Sequence, residues 1–513
     1  MYNRGLFQKW VPGILQLLLI MLFLILINLI NSVNQSNVGQ MVSSTGILAE
    51  YYMWGLYATI IGISIVLPFV LRIKNRFRNK VLLVTSLTLM AVLNVVIATT
   101  SIGEVVVAAC LVFGVAKMIC MLEFILPFRG IISPDGDNGR FYSVLYPITL
   151  GLSQFGAFIS SKLALVYGWD GLHYYTAATL LIMAMIMTVL GHNQRFDRKL
   201  PFYGIDWLGV FYYITALMSM AYIYAFGKQQ DWFNSPNIRF SFVAMTASII
   251  ALIIRQLTIK RPFLKFRLYR IREVRVGLLL LVAQGMYMGV GTVMSIYTSA
   301  ILGYNWMINS QIGLMTIPGM LLAAFVAFHW TKHKIPLKMY IFLGFAAYFF
   351  YTVMLYFMMT PQLSITQLYL PQLLNGYGMC ALFIAVWMYT LGKVPQSTDV
   401  ILPSVAPVMI FRSFIIMGLF TTLFGWLHYK LQWQSVENLA IYFDAMIPAG
   451  VGALRDVQLG AVLAANKTLL GYSIVAGLFI LTSVFFHQFG LQKYRVFIYR
   501  NYINDKRMKN AAI

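Results

Sequence analysis

Residues 54–100 read WGLYATIIGISIVLPFVL-RIKNRFRNK-VLLVTSLTLMAVLNVVIATT, and this stretch sets the class of fold. Two apolar runs, each close to the roughly 20 residues that cross a bilayer, enclose nine residues with five cations and no acid. Such a basic block occurs in nucleic-acid-binding segments as well as at membrane surfaces. Its position between two apolar runs favours a pair of membrane-spanning helices joined by a basic loop.

The rest of the chain repeats this pattern. Its 513 residues are 60% hydrophobic and only 10% charged, with a mean hydropathy of +0.77, whereas soluble domains carry about 25% charged residues. Fourteen apolar runs of span length predict an all-α polytopic membrane protein. The predicted spans are 11–31, 51–71, 81–100, 104–127, 142–167, 171–191, 204–226, 238–257, 276–300, 310–330, 338–358, 368–391, 401–427 and 467–489.

The distribution of the 38 Lys and Arg residues predicts how the spans are oriented. With the N-terminus placed in the cytoplasm, most of these cations fall in cytoplasmic loops, as the positive-inside rule requires. Both ends of an even number of spans then lie in the cytoplasm, and we predict an integral protein of the bacterial inner membrane. The net charge of +23 is assigned to contact with anionic lipids rather than with nucleic acid.

Several classes of protein are disfavoured. The first apolar run is long, lacks a small-residue cleavage site and leads into further spans, so it is not predicted to be a cleaved signal peptide. Cys110, Cys120 and Cys380 fall inside predicted spans, which predicts neither a disulfide framework nor a metal site. The sequence contains no phosphate-binding Gly-x-x-x-x-Gly-Lys-[Ser/Thr] pattern and no recurring catalytic set. We therefore predict a protein without cofactors that is not an enzyme.

Two connecting segments are longer than the others. Residues 255–275 form a basic cytoplasmic linker, whereas 428–466 form the one long segment predicted outside. A passive loop, short amphipathic helices on the membrane face and a contact for a periplasmic adaptor all stay open for 428–466. Residues 67–87 and 323–345 each contain the end of a span, a short basic hairpin and the start of the next span. Two halves of a transporter would place a repeat in this way.

Motifs in the first two-thirds of the chain occur in a recognisable order. The second run, with Trp54 and Pro68, precedes the basic loop 72–80. NGRFYSVLYPITLGLSQFGAFISS (138–161) then supplies a glycine-rich span, and GIDWLGVFYYITALMSMAYIYAFGKQQDW (204–232) contains Asp-x-x-Gly and ends with a Gly before a Trp. Together these motifs cover most of residues 50–330. They resemble the fourteen-span branch of drug:proton antiporters in the major facilitator superfamily.

The resemblance implies the major facilitator fold, with two six-helix bundles and two additional helices. It implies an N-terminal bundle over 1–191, the additional helices and linker over 192–275, and a C-terminal bundle over 276–513. The chain departs from the family pattern, because the basic loop has lost its Asp and its glycines. The acid usual in the first span is also missing, and its position falls near Asn28 or Asn31. We therefore expect a divergent member.

Cations at the cytoplasmic side are implied to form a gating loop. Without the family's Asp, the cations of 72–80 are expected to contact lipid phosphates or an acid such as Glu123. The gating-loop residues are Arg72, Arg76, Arg78, Lys80 and Arg140.

Charges inside spans are functional candidates, because each costs roughly 2.5–3.5 kcal/mol on insertion scales. Lys117 lies deep in span four and is predicted either to bind substrate or to form a structural ion pair. Glu123 is the one acid well inside a predicted span. Proton coupling is open for it, as is a structural pair with Arg129 or a cation of 72–80. Six helical positions place Lys117 and Glu123 about 120° apart, so they are not expected to pair with each other.

Arg412, well inside span thirteen, is predicted to bind substrate or to serve a structural role, and Asp206 is predicted to cap the seventh span. Uncharged polar residues would line a central cavity if the family layout holds, although an amide in a span can equally join two helices. These cavity candidates are Asn28, Asn31, Gln154, Gln284, Tyr287 and Asn375.

The leading interpretation is a secondary transporter that exports small amphipathic or drug-like molecules by proton antiport with alternating access. One alternative is a facilitator or uptake carrier for an anionic metabolite held by Lys117 and Arg412. Another is an ion-translocating subunit of a membrane complex, although such a subunit would require more intramembrane charges than this chain carries.

Overall fold

The computed structural model describes residues 6–134, 137–194, 205–259, 262–264, 266–333, 335–394, 398–446, 451–487 and 489. These residues are organised in helices, apart from turns and an isolated β-bridge between Phe7 and Gly191. A short helix, Val38–Thr45, follows the first span. The helices long and apolar enough to cross a membrane are Gly13–Ser36, Ala49–Arg76, Asn79–Thr99, Gly103–Ile132, Asn138–Leu190, Trp207–Phe226, Pro236–Thr258, Arg272–Ile301, Trp306–Lys332, Leu337–Met358, Ile365–Leu391, Pro403–Ile441 and Arg455–Phe486.

These 13 helices contain fourteen spans, because Asn138–Leu190 is 53 residues long. At 1.5 Å per residue it would extend about 80 Å, more than twice the hydrocarbon thickness of about 30 Å. Gly168 divides it with a φ of +77°, a conformation open mainly to glycine. The predicted all-α membrane fold is therefore confirmed. We number the spans 1 to 14 in chain order, with spans 5 and 6 on either side of Gly168, and call the end that carries residues 72–80 the basic end.

Spans 2 and 4 cross at a pair of glycines. A Cβ added at Gly62 would overlap the carbonyl oxygen of Leu111, and one added at Gly114 would overlap the carbonyl oxygen of Thr59. The two backbones are thus in direct contact on both sides of the crossing. Lipid is as apolar as the helices, so no hydrophobic effect drives helices together inside a membrane. Their association relies on close packing, which small residues such as glycine allow.

Spans 10 and 12 repeat this crossing in the second half of the chain. A Cβ at Gly319 would overlap the carbonyl oxygen of Leu373, and one at Gly376 would overlap that of Thr316. In each half, therefore, the second and fourth spans of a six-helix bundle lock together through reciprocal glycines. The two stretches compared in the sequence, 67–87 and 323–345, each follow the first partner of one crossing, as an internal repeat requires.

The basic stretch 72–80 is not a simple loop, which corrects the expectation from sequence. Pro68 falls in a 3₁₀ turn, Leu67–Phe69, and the chain then continues as a helix over Val70–Arg76. The helix ends at Phe77, whose extended conformation leaves only a short turn before Asn79 begins span 3. Lys and Arg are good helix formers, so the cations extend span 2 by more than a turn.

The segment 428–466 is not a loop on the membrane face. Its first part completes the helix Met417–Met446 and its last part opens the helix Val451–Phe486, while residues 447–450 lie outside the described residues. Residues 428–446 contain no Gly or Pro, so nothing in them breaks the helix. These helices of 30 and 36 residues are about 45 and 54 Å long and therefore extend beyond the hydrocarbon.

Span 7 packs against span 2, and span 8 packs against span 7. The indole N–H of Trp54 donates to the carbonyl oxygen of Met218 at 3.2 Å, and the hydroxyl of Tyr213 donates to Ser64 at 3.0 Å. Trp54 also packs edge-on against Tyr222 and Phe226 of span 7. The additional pair is thus fixed to the first half of the chain by side chains that face it.

The glycine crossing predicts an asymmetric response to alanine. We expect Gly114→Ala to destabilise the protein by about 1–3 kcal/mol, because the new methyl group overpacks the contact with span 2. Gly130→Ala on the same helix is the control, since a Cβ there has no neighbour within 4 Å. Thermal unfolding in detergent measures both, and equal midpoints for the two variants would contradict the crossing.

Candidate functional site

A buried ion pair joins spans 2 and 4 near the basic end. The Lys74 ammonium lies 3.0 Å from a carboxylate oxygen of Glu123, and the two side chains are 2% and 1% exposed. The expectation that a cation of 72–80 would reach Glu123 is confirmed. The sequence did not single out Lys74, because a stretch read as a loop does not show which of its side chains face inward. Arg129, the other cation predicted to pair with Glu123, donates to the side-chain oxygen of Asn138 at 2.8 Å.

The predicted gating-loop cations surround this pair at the surface. Arg72, Arg76 and Lys80 are half-buried and Arg78 is exposed. Arg140 begins span 5, with its Nε 4.0 Å from a carboxylate oxygen of Asp137. Their gating role stays a prediction.

Lys117 is buried in the middle of span 4, with 1% of the residue exposed. Among the described residues its ammonium has no hydrogen-bond partner and no ion pair. Cys110, Gly114 and Lys117 fall on one face of the helix, and the first two contact Gly55 and Thr59 of span 2. Lys117 therefore faces the seam between spans 2 and 4, on the side that also carries the glycine crossing.

Arg412 lies in a π-helical segment of span 13, Phe411–Ile416, and is 7% exposed. Its guanidinium carbon is 4.0 Å from the ring centre of Phe383, 4.9 Å from Trp387 and 5.4 Å from Tyr146. We call these three rings the aromatic box. Tyr146 belongs to span 5 and the other two rings to span 12, so the box joins the two bundles. Cation–π contacts of this kind are stabilising when desolvated.

The five uncharged candidates whose side chains are described do not gather in one cavity. Asn28 donates to the carbonyl oxygen of Leu24 in its own helix, and Asn375 donates to Gln372. The side chain of Asn31 lies outside the described residues. Gln154 reaches Gly313 across the two bundles, because a Cβ there would lie 2.9 Å from its side-chain oxygen.

The packing of Tyr287 corrects the prediction that this residue lines a central cavity. Its ring stacks on Tyr348 at 5.1 Å inside the C-terminal bundle, and its hydroxyl lies against Gly477. Gln284 is fully buried, and its amide has no hydrogen-bond partner among the described residues. The sequence does not show that the Tyr287 side of span 9 packs against spans 11 and 14.

An apolar cavity of about 650 Å³ lies where spans 1, 5 and 10 meet. Asn28 is at its wall, and Ser143, Pro147 and Gly151 line it as successive turns of span 5. A Cβ added at Gly151 would meet no atom within 4 Å. The glycine-rich motif of span 5 therefore keeps one wall of this cavity open.

The two bundles touch at both ends along spans 5 and 10. Towards the basic end, Gly139 packs against Thr331 and Met388, and at the opposite end the hydroxyls of Ser161 and Ser310 are 2.9 Å apart. The aromatic box lies between these two contacts along span 5, and the interface of the two halves is closed on either side of it.

Asp206 caps span 7, as predicted from the sequence. Its carboxylate accepts hydrogen bonds from the backbone N–H of Gly209 at 2.9 Å, from Arg255 at 2.6 Å and from Gln256 at 2.9 Å. A Cβ at Gly209 would overlap this carboxylate, which explains the Asp-x-x-Gly spacing. Burial opposes the charge, but the hydrogen bonds from Gly209, Arg255 and Gln256 outweigh it and lower the pKa of Asp206.

Known proteins with similar sequences are multidrug exporters. The chain is 22% identical over 247 residues to the multidrug export protein EmrB of Escherichia coli K12, a match that covers 47% of this chain and 46% of the relative. It is 25% identical over 199 residues to EmrB of Haemophilus influenzae, covering 37% and 38%. The chain thus matches less than half the length of these relatives. No family model matches the chain.

Solved structures with the same fold are transporters. The nucleoside transporter NupG aligns over 92% of this chain and 99% of its own, with a TM-score of 0.52 and 14% identity. A structure of a proton-dependent oligopeptide transporter aligns over 91% and 98%, with a TM-score of 0.52 and 13% identity. The chain has the fold of these transporters, and a part of its sequence is weakly similar to the exporters. Its long apolar helices are those of an integral membrane protein.

The buried pair predicts a large cost for removing one partner. Lys74→Met should destabilise the protein by about 3–5 kcal/mol, because it leaves the Glu123 carboxylate buried without a counter-charge. Adding Glu123→Gln should recover most of this loss. Thermal unfolding in detergent measures the cycle, with Lys80→Met as the surface control. A Lys74→Met protein as stable as wild type would show that the pair does not hold the two spans together.

The cap predicts a pH dependence. A carboxyl whose folded pKa is lowered stabilises the fold above its unfolded pKa, near 3.9, and loses that contribution as pH falls through the folded value. Wild type should therefore unfold at a higher temperature than Asp206→Asn at pH 7, and the difference should shrink below about pH 4. A difference that stays constant across this range would contradict the charged cap.

Proposed function

We propose that this chain is a secondary transporter that exports small amphipathic molecules across the bacterial inner membrane by proton antiport, with both termini in the cytoplasm. The observation that carries the proposal is the pair of buried cations, Lys117 and Arg412, one in each bundle of a major facilitator fold. Neither has an acidic partner among the described residues. Charged side chains inside a membrane are rare and mark substrate or ion pathways.

The side chains around these cations favour a particular substrate. The rings of Tyr146, Phe383 and Trp387 supply apolar surface at the junction of the bundles, and Arg412 supplies a positive charge there. A molecule with an aromatic part and an acidic group gains from both features. A cationic molecule of the same size would be repelled by Lys117 and Arg412 in a medium of low dielectric constant.

Glu123 is the proposed proton carrier. Protonation of its carboxyl removes the charge that lies 3.0 Å from the Lys74 ammonium, and breaking a buried ion pair is destabilising. Lys74 then moves towards the lipid headgroups at the basic end, and the contact between spans 2 and 4 loosens there. The proton thereby acts on the span that carries the proposed gating cations.

Uncharged polar residues and the long hairpin of spans 13 and 14 are also proposed to take part in transport. Asn28, Gln154 and Asn375 are proposed to contact substrate during the transport cycle, because Asn28 borders the apolar cavity and Gln154 bridges the bundles. The helical hairpin of spans 13 and 14 extends beyond the hydrocarbon on the side opposite the basic end. We propose this hairpin, which includes residues 428–466, as the contact for a periplasmic adaptor.

The test is transport by purified protein in liposomes with an imposed pH gradient. Wild type should drive an anionic lipophilic dye against its gradient and should transport a cationic dye of similar size much more slowly. Glu123→Gln should abolish gradient-driven transport while passive exchange continues. Glu104→Gln is the matched control, since this acid lies at the opposite end of span 4 and accepts a hydrogen bond from Tyr51. Gradient-driven transport by Glu123→Gln would refute the assignment of the proton carrier.

A second candidate is supported by the same cations. A facilitator for an anionic metabolite would use Lys117 and Arg412 to bind the anion and would need no proton carrier. Transport of an organic anion down its own gradient, with no response to the imposed pH gradient in wild type, would favour the facilitator over the antiporter.

A further inference from the structure

We propose that span 7, one of the two additional helices, positions Arg412 through the π-helical segment of span 13. Tyr224 is the positioning residue. This proposal extends the proposed function, since it assumes that Arg412 acts in the transport pathway, but its central test is independent of transport.

The π-helical segment carries two side chains that face different partners. Arg412 reaches the aromatic box of spans 5 and 12. Phe414, two residues later and fully buried, packs edge-on against Tyr57 of span 2 at 5.4 Å and lies 5.8 Å from Tyr224 of span 7. One short segment therefore touches the N-terminal bundle, the C-terminal bundle and the additional pair.

Tyr224 bonds directly to the backbone of this segment. Its hydroxyl donates to the carbonyl oxygen of Ile415 at 3.2 Å. Its ring fills the space beside Gly418, where a Cβ would lie 2.6 Å from a ring carbon. In a π-turn the regular pattern of backbone hydrogen bonds is interrupted, so a donor from a neighbouring helix stabilises a carbonyl there. Such turns are frequent at functional sites.

The register of the segment controls where Arg412 points. If the π-turn became a regular α-helical turn, the residues on one side of it would rotate by about 100° relative to the other side. Arg412 would then leave the aromatic box, while Phe414 would leave the groove between Tyr57 and Tyr224. The bond from Tyr224 holds the π-turn, and thereby holds the guanidinium between the two bundles.

Span 7 is itself anchored to the first half of the chain. Tyr213 donates to Ser64, and Trp54 donates to Met218. A movement of span 2 relative to span 13 therefore pulls on Tyr224 and Ile415. We infer that the additional helices transmit the movement of the N-terminal bundle to the arginine of the C-terminal bundle.

The test measures the protection of Arg412 against an arginine-specific reagent. Purified protein in detergent is treated with phenylglyoxal, and modification of Arg412 is followed by mass spectrometry. Tyr224→Phe keeps the ring and removes only the hydroxyl, so Arg412 should be modified about two- to tenfold faster, as expected for one lost hydrogen bond. Tyr222→Phe is the matched control: it removes a hydroxyl of the same helix that accepts a hydrogen bond from Gln230 at 2.9 Å, and it should leave the rate unchanged.

Two results would overturn the proposal. Equal modification rates of Arg412 in wild type and Tyr224→Phe would show that the hydroxyl does not position the guanidinium. An equal increase in Tyr222→Phe would show a general loosening of span 7 rather than control through Ile415. Neither result depends on a transported substrate, so a failure of the proposed function leaves this test intact.

Transport adds a second readout. If Tyr224 acts through Arg412, Tyr224→Phe should slow dye transport in the wild-type background and have no further effect in an Arg412→Gln background. Additive effects of the two substitutions would contradict this route.

Discussion

The absence of water from the hydrocarbon core is the constraint on which the whole structure depends. Each backbone group and each charge there must find a partner within the protein. Helices satisfy the backbone, and this accounts for the fourteen spans. The charges are fewer, and each is accommodated differently. Glu123 is neutralised by Lys74, Arg412 is surrounded by aromatic rings, and Lys117 has no partner among the described residues. The differences between these three environments define the candidate site.

The three environments lie in different parts of the fold. The pair of Lys74 and Glu123 lies within one bundle and is the proposed site of protonation. The aromatic box lies between the bundles, which rock around a fixed site in an alternating-access cycle. Span 7 bonds to span 2 on one side and to the π-helical segment of span 13 on the other. It therefore connects the two bundles.

The sequence predicts the fold better than the site. Apolar length and the positions of the cations locate the spans, because both follow from the cost of placing polar groups in hydrocarbon. The helical continuation after Pro68 was missed, because a basic stretch resembles a loop until its partner Glu123 is known. The long helices on either side of residues 447–450 were missed because their mixed composition hides a helical period. Tyr287 was placed in a cavity because a sequence does not show which face of a span meets its neighbours.

The reciprocal glycine crossings bear on the history of the chain. Gly62 and Gly114 in one half, and Gly319 and Gly376 in the other, preserve the same backbone contact, although the flanking sequences are barely alike. Two halves of a transporter that share one packing plan would place the same contact in each half. The likeness of the halves therefore lies in four positions without a side chain, where backbone meets backbone, rather than in a shared sequence.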